Sequence, residues 1–266
     1  MKLIHLNVES FKYFDALVDF LEAEKPDILS LVEATDGESI FSSKWGAQKD
    51  YIWELSKRFS WNSVFHPTIF RDCGTHQIGF GAAVLSHFPI TSESKQYLGW
   101  DKPTVLAADN IAFSDRPKYE KYPNAWKFSL PFLVTQIQTE EWSIRLITVH
   151  FHVSYDCLET LQIWQDAERV VEYMNSVEPM PTIFTGDLNI RNKSMAIKTL
   201  REKMTQQSGE FTNTLCREIH PLFQKEPHHS GLGIDHIFTH DILVSSCQVR
   251  EVSVSDHLPL VLVFSL

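Results

Sequence analysis

The chain has little cysteine. Cys73, Cys157, Cys216 and Cys247 are scattered over 266 residues with no Cys-x-x-Cys pair. That spacing gives no basis for a disulfide or zinc framework, so the thiols read as free in a reducing compartment. His228-His229 likewise lacks partners at standard zinc spacing. Basic charge is short as well. Against 34 acidic residues stand 24 lysines and arginines, a formal net charge of −10. A protein that passively coats nucleic acid normally carries a basic stripe, and this balance argues against one. It also disfavours adsorption to anionic membrane surfaces without a metal bridge. Long apolar runs are absent. Stretches such as Leu258 to Phe264 have strand length and are far too short to span a bilayer. The N-terminus, Met1 to Asn7, has no apolar h-region, so no signal peptide and a cytoplasmic location are expected. Internal repeats, low-complexity tracts and linkers do not stand out, nor does a serine or cysteine nucleophile motif.

Apolar residues make up 43% of the chain and charged residues 22%, ordinary proportions for a soluble globular protein. The length suits one large α/β domain over residues 1–266. Lys2 to Val8 reads as a strand. Phe11, Phe14, Leu17, Val18 and Leu21 then recur at helical spacing, with Ser10 as N-cap and Pro26 beyond the end. Asp27 to Glu33 is a second buried strand, Ala47 to Phe59 a helix and Asn62 to His66 a strand. After a polar loop at Arg71 to Ile78, Gly79 to Ser86 and Thr91 to Leu98 read as neighbouring strands parted by a Phe-Pro turn. Trp100 to Ala125 is the least regular stretch, and a loop this long is usually functional or mobile. Lys127 to Gln138 and Ser143 to His150 look paired. Leu158, Leu161, Trp164, Ala167, Val171 and Met174 form one helix stripe. Pro181 to Asp187 is a near-continuous apolar strand, followed by a short helix at Lys193 to Met204 capped by Asn192. Ile234 to Thr239, Val244 to Val252 and Leu258 to Phe264 complete the strands. The pattern suggests a four-layer α-β-β-α sandwich, two packed mixed sheets with helices outside.

Polar groups sit at the ends of these apolar runs: Asn7, Glu33, His150, Asp187 with Asn189, Asp235, and Asp256 with His257. If the strands share one sheet edge, the groups converge. Carboxylates, amides and histidines at one point suit a hard divalent cation held against a phosphate, with proton transfer alongside. Each residue alone has a plainer reading. Glu33, after Ile28 to Val32, is either a solvent-facing strand end or a ligand. Gly186 to Asn189 is either a turn or a strand-end site, and the buried run before it favours the site. Residues two apart on extended chain share a face, which pairs Asp187 with Asn189, His150 with His152 and Asn7 with Glu9. Glu9 is expected to face solvent, the alternative being a place behind the metal ligands or at a second metal. Asp256 and His257 would diverge on a regular strand, so a bend before Pro259 is needed to bring both to one place. His228, His229 and His236 are expected to be structural.

Gly186-Asp187-Leu188-Asn189, Ser255-Asp256-His257-Leu258-Pro259 and the Gly81 to Ile90 segment, with the other motifs in this order, resemble the endonuclease/exonuclease/phosphatase superfamily, the deoxyribonuclease I-like fold. The resemblance runs from Asn7 to Pro259. It implies that Asn7, Glu33 and Asp256 hold Mg²⁺, or Mn²⁺ in its place. It implies that Asp187 orients or deprotonates the attacking water and that Asn189 donates to a phosphate oxygen. Asp235 would orient His257, fixing its tautomer and raising its basicity. His150 would donate to the phosphate or the leaving oxygen.

His150 stands where the abasic-endonuclease branch has a tyrosine, which points toward the deoxyribonuclease, deadenylase, tyrosyl-DNA phosphodiesterase, sphingomyelinase and inositol-phosphatase branches. Phe184 to Arg191 matches the inositol 5-phosphatase signature only in part, and Gly233 to Phe238 lacks its Cys-Asp-Arg segment. Three readings stay open. One is a phosphodiesterase acting on nucleic acid or a nucleotide derivative. Another is a phosphatase or phospholipase-type hydrolase of inositol or sphingolipid head groups. The third is an inactive member that binds a phosphorylated ligand, and the retained polar set argues against it. The acidic balance favours a small or single-stranded substrate. Arg116, Lys118 and Lys121 stand beside Tyr119 and Tyr122 in the long loop and could meet phosphate, or they are merely solvated. A monomer is expected.

Overall fold

The chain, seen in a computed structural model, is described over residues 1–36, 50–72, 77–99, 102–106, 129–139, 141–154 and 157–266. In chain order the described strands are β1 (Lys2–Asn7), β2 (Ile28–Thr35), β3 (Asn62–Asp72), β4 (Gln77–Ser86), β5 (Ile90–Leu98), β6 (Thr104–Leu106) and β7 (Leu130–Gln138). They continue with β8 (Ser143–His150), β9 (Thr182–Asp187), β10 (Thr205–Gln206), β11 (Asp235–His240), β12 (Leu243–Val249) and β13 (Leu260–Ser265). The helices are α1 (Phe14–Glu24), α2 (Tyr51–Phe59), α3 (Leu161–Ser176), α4 (Met195–Arg201) and α5 (Pro221–Lys225). One mixed sheet has the order β12-β13-β1-β2-β4-β3-β6, the other β10-β11-β9-β8-β7-β5. They pack face to face with helices outside, the four layers expected from the pattern of apolar runs. No helix among the described residues is long and apolar enough to cross a membrane.

Alternation along the strands sorts the apolar side chains into three layers. Leu6, Leu29, Leu31 and Leu85 pack outward with Leu17 and Leu21 of α1 and Leu55 of α2. Phe132, Val149, Phe184 and Phe238 pack outward with Ile163 and Val170 of α3 and Ile197 of α4. Leu3, Ile28, Val84, Leu133, Leu146, Ile183 and Ile237 fill the space between the sheets. This inner layer becomes polar along its length. The inward positions of β8 read Leu146, Thr148, His150, and those of β9 read Ile183, Thr185, Asp187. At the middle step Ser30 Oγ of β2 bonds Thr148 Oγ1 at 2.8 Å and Thr185 Oγ1 at 2.7 Å, joining the sheets. The last step opens the site.

Several local expectations are corrected. Ser10 does not cap α1. Glu9, Ser10 and Phe11 form a turn with φ of 42°, 57° and 58°, and the helix begins at Phe14. Ser194, not Asn192, caps α4; Asn192 donates instead to Phe211 O at 3.2 Å. Leu158 and Leu161 are 60% and 68% exposed, because α3 starts only at Leu161, capped by Thr160. β3 runs on to Asp72, past the expected end at His66. β4 and β5 are not neighbours, since the chain crosses from one sheet to the other between them. β6, β10 and α5 are further elements that periodicity did not indicate.

Candidate active site

Register places the central groups in one row. On β9, Asp187 pairs with His150 of β8 on one side and with Asp235 of β11 on the other. Cross-strand partners project from the same face, so the three side chains stand abreast and point toward the opposite sheet. From that sheet β1 supplies His5 and Asn7, two residues apart and on one face. Asn7 Nδ2 donates to Asp187 Oδ2 at 3.1 Å, and Asn7 Oδ1 accepts the Glu9 N–H at 3.1 Å. Gly186 permits the close approach of β8 and β9. A Cβ at that position would lie 2.6 Å from Val149 O.

Asp187 is buried, and its Oδ1 accepts the Asn189 N–H at 2.9 Å. Asn189 has φ 52°, so the chain turns there rather than running extended beside Asp187. Asn189 Nδ2 donates to Phe151 O at 3.1 Å. Burial alone would raise the Asp187 carboxyl. His257, His150, the Asn189 N–H and the Asn7 amide outweigh it and hold the group below its ordinary value.

The bend before Pro259 exists. Residues 254–256 curve, His257 bridges to Leu215, and Asp256 and His257 are both buried ahead of β13. His257 Nδ1 lies 2.8 Å from Asp235 Oδ2, and its Nε2 lies 3.8 Å from Asp187 Oδ2. Burial works to lower the imidazole, but Asp235 and Asp187 overcome it and raise it well above its ordinary value. Asp235 is itself pushed up to about 6, first by burial. It also accepts from Thr214 Oγ1 at 2.6 Å.

Glu33 sits at an irregularity in β2 between Leu31 and Ala34, with φ 53°. Non-glycine residues rarely hold that conformation, and such strain gathers at functional sites. His150 Nε2 lies 4.0 Å from Glu33 Oε1 and 3.7 Å from Asp187 Oδ2. Both His150 ring nitrogens are buried with no hydrogen-bond partner among the described residues. Glu9, expected to face solvent, turns partly inward, and its Oε2 is buried without a partner. Burial raises its carboxyl, and Asp256 and Glu33 raise it further, against Lys12 at 3.0 Å. Asp256 and Glu33 thus lie near enough to Glu9 to raise it, although the three carboxylates do not close to within 4.8 Å of one another as Asp187, Asp235 and His257 do. The three carboxylates, oxygen donors throughout with Asn7 beside them, fit a hard divalent cation.

His5 is a site residue that sequence reading missed. It is fully buried, with Nδ1 3.4 Å from Ser30 Oγ and Nε2 3.8 Å from Asp235 Oδ1. Burial lowers it to about 3, so it is neutral. The available signal was its position two residues before Asn7 on the same strand face. His152 does not join His150. β8 has ended, and Asp166 Oδ2 of α3 takes both His152 Nδ1, at 2.7 Å, and the His152 N–H, at 3.1 Å. His236 Nε2 bonds Ile190 O at 2.9 Å, and His229 Nδ1 accepts the Gly231 N–H at 3.0 Å. Both are structural. Arg116, Lys118 and Lys121 lie outside the described residues.

A profile of the endonuclease/exonuclease/phosphatase family matches residues 4–257. No curated protein matches the sequence. Among solved structures, an endonuclease/exonuclease/phosphatase family protein from Leptotrichia buccalis has a TM-score of 0.68 at 15% identity, with 100% of both chains covered. D. rerio TDP2 complexed with single-strand DNA product has a TM-score of 0.67 at 14% identity, covering 100% of this chain and 99% of its own. A mannosyl-6-phosphatase from Bacteroides thetaiotaomicron has a TM-score of 0.66 at 13% identity, with 100% of both chains covered. At these identities the likeness is one of fold.

Proposed function

Because the chain belongs to the endonuclease/exonuclease/phosphatase family, whose members hydrolyse phosphate esters, we propose that it is a Mg²⁺-dependent phosphodiesterase acting on nucleic acid or a nucleotide derivative, with Mn²⁺ as a working substitute. One observation carries this reading. His150, Asp187 and Asp235 stand in one row, and His257 closes onto Asp235 at 2.8 Å. Glu33, Asp256 and Asn7 would hold the cation, with Glu9 adding charge beside them. When bound, the ion neutralises charge on the phosphate and helps the leaving oxygen depart.

The remaining steps belong to the chain's own side chains. Asp187, held anionic, orients the attacking water and takes its proton at Oδ2. His257, kept cationic by Asp235, donates from Nε2 to a phosphoryl oxygen, and Asp235 fixes the ring through Nδ1. His150 donates to the phosphate or the leaving oxygen. The second amide hydrogen of Asn189 serves a phosphate oxygen. Water attacks phosphorus directly, in keeping with the lack of a nucleophile motif. Arg116, Lys118 and Lys121 enter as phosphate contacts on their charge alone.

The test is a substrate panel: a single-stranded oligonucleotide, bis(p-nitrophenyl) phosphate, p-nitrophenyl phosphate, an inositol phosphate and a sugar 6-phosphate, each with Mg²⁺, Mn²⁺ or EDTA. Diesters should turn over with Mg²⁺ and stop in EDTA, and Glu33→Ala should need more metal for any residual rate. A preference for the monoesters would overturn the diesterase assignment. Undiminished turnover in excess EDTA would overturn the metal dependence.

A further inference from the structure

Only one oxygen of Asp235 is accounted for. Its Oδ2 takes His257 Nδ1 at 2.8 Å and Thr214 Oγ1 at 2.6 Å. Its Oδ1 is buried with no hydrogen-bond partner among the described residues. His5 Nε2 is in the same position, and the two atoms lie 3.8 Å apart. Both side chains are closed to water, with exposures of 0% for His5 and 1% for Asp235. Buried polar atoms are seldom left unpaired, because a missing bond costs the full desolvation of the group. Here two of them face each other about 0.6 Å beyond the long end of an N–H···O bond. None of the hydrolytic steps above uses His5.

The tautomer decides what this pair can do. A neutral ring carries one proton. On Nδ1 that proton would serve Ser30, the residue opposite His5 on β2, and Nε2 would turn a lone pair toward the carboxylate. On Nε2 it points to Asp235 Oδ1, and Nδ1 accepts from the Ser30 hydroxyl at 3.4 Å. Ser30 Oγ is free to give its hydrogen to the ring, since Thr148 Oγ1 at 2.8 Å and Thr185 Oγ1 at 2.7 Å can both donate to it. The second arrangement sets no lone pair against another. It makes one chain of hydrogen bonds, from the threonines between the sheets through Ser30 and His5 to the carboxylate that holds His257. An aspartate gripped at one oxygen has a broad terminal torsion. Gripped at both, its plane is fixed.

We propose that His5 is a positioning residue for the hydrolytic pair, donating Nε2–H to Asp235 Oδ1 and so setting the angle at which Oδ2 meets His257 Nδ1. Catalytic hydrogen bonds are often long in the empty site and tighten around substrate, and the separation of 3.8 Å is of that kind. The assignment rests on the phosphate-ester reading above, but its first test does not need turnover. With ¹⁵N-labelled histidine, long-range ¹H–¹⁵N spectra show which ring nitrogen holds the proton. His5 should be the Nε2–H tautomer, and a proton on Nδ1 would overturn the proposal. Kinetics on the best diester of the panel is the second test. His5→Phe keeps a ring of similar size and removes both nitrogens, whereas His5→Gln retains an amide donor. His5→Phe should lower kcat roughly tenfold, the scale of one hydrogen bond to a charged group, with KM nearly unchanged. His5→Gln should recover most of that loss. The Nδ1–H resonance of His257 should also move in His5→Phe. Wild-type kcat in His5→Phe, or an equal loss in both variants, would overturn the positioning role. Should His5→Phe fail to fold, the tautomer decides alone. An Nε2–H tautomer in a protein that hydrolyses no ester in the panel would sustain the tie to Asp235 while the functional reading fell.

Discussion

Asp235 is pulled two ways. Burial pushes its carboxyl up to about 6, while His257 at 2.8 Å and Thr214 at 2.6 Å favour the anion. The anion in turn keeps His257 protonated and its ring fixed. The two residues therefore differ in how much each should matter. His257→Ala removes the donor itself and should lower kcat about a hundredfold or more, the usual scale for a positioned acid–base group. Asp235→Asn leaves the ring present but without its charge partner, so the loss should be smaller yet clear. Steady-state kinetics on the best diester of the panel measures both. Near-normal turnover in the two variants would remove this pair from the mechanism.

Among the elements, β8 and β9 form the row only while they lie close. A Cβ at Gly186 would come within 2.6 Å of both Val149 O and Val149 Cγ2. Gly186→Ala must part the strands, and overpacking of this kind costs roughly 1–3 kcal/mol. Adding Val149→Ala relieves the methyl contact but not the carbonyl, so the double variant should recover only part of the loss in urea unfolding. Full recovery would show that the backbone contact is not the constraint. The strands themselves were largely legible, because burial on alternate positions is written locally, as in Leu146, Thr148, His150 and Ile183, Thr185, Asp187. Pairing is not local. Nothing between Ser86 and Ile90 says that the chain changes sheets there. The turn at Glu9, Ser10 and Phe11 was illegible for a related reason. Three successive non-glycine residues in the left-handed region are unfavourable in isolation, so only the tertiary setting holds them, and with them the inward turn of Glu9. His5 was missed because a single histidine on an apolar strand carries no motif.

In the molecule as a whole, the buried histidines set the response to acid. Burial lowers His5 to about 3 and His236 to about 4, against an ordinary 6.5. As pH falls below 6.5 the unfolded chain binds protons at these rings that the folded chain refuses, so stability is lost. Asp187, held below its ordinary 3.8, adds a further loss as pH falls beyond that value. Asp235 works the other way. With a folded value of about 6 against 3.8, it takes up its proton first in the fold and regains stability over that interval. His257 does not alter the balance there, since a raised histidine contributes fully below 6.5 and loses its contribution only as pH rises through its folded value. Burial also lowers His66, and the raised Glu9 carboxyl works alongside Asp235, so three histidines stand against two acids. The balance is a net loss, and Tm and the urea midpoint should be lower at pH 4.5 than at pH 7. The net charge of −10 complicates a low-salt measurement, because acid also relieves general repulsion. Salt screens that surface contribution and barely reaches the buried rings, so the decline should be clearest at high ionic strength. A midpoint that holds or rises at pH 4.5 in high salt would mean that His5 and His236 are not kept neutral by the fold.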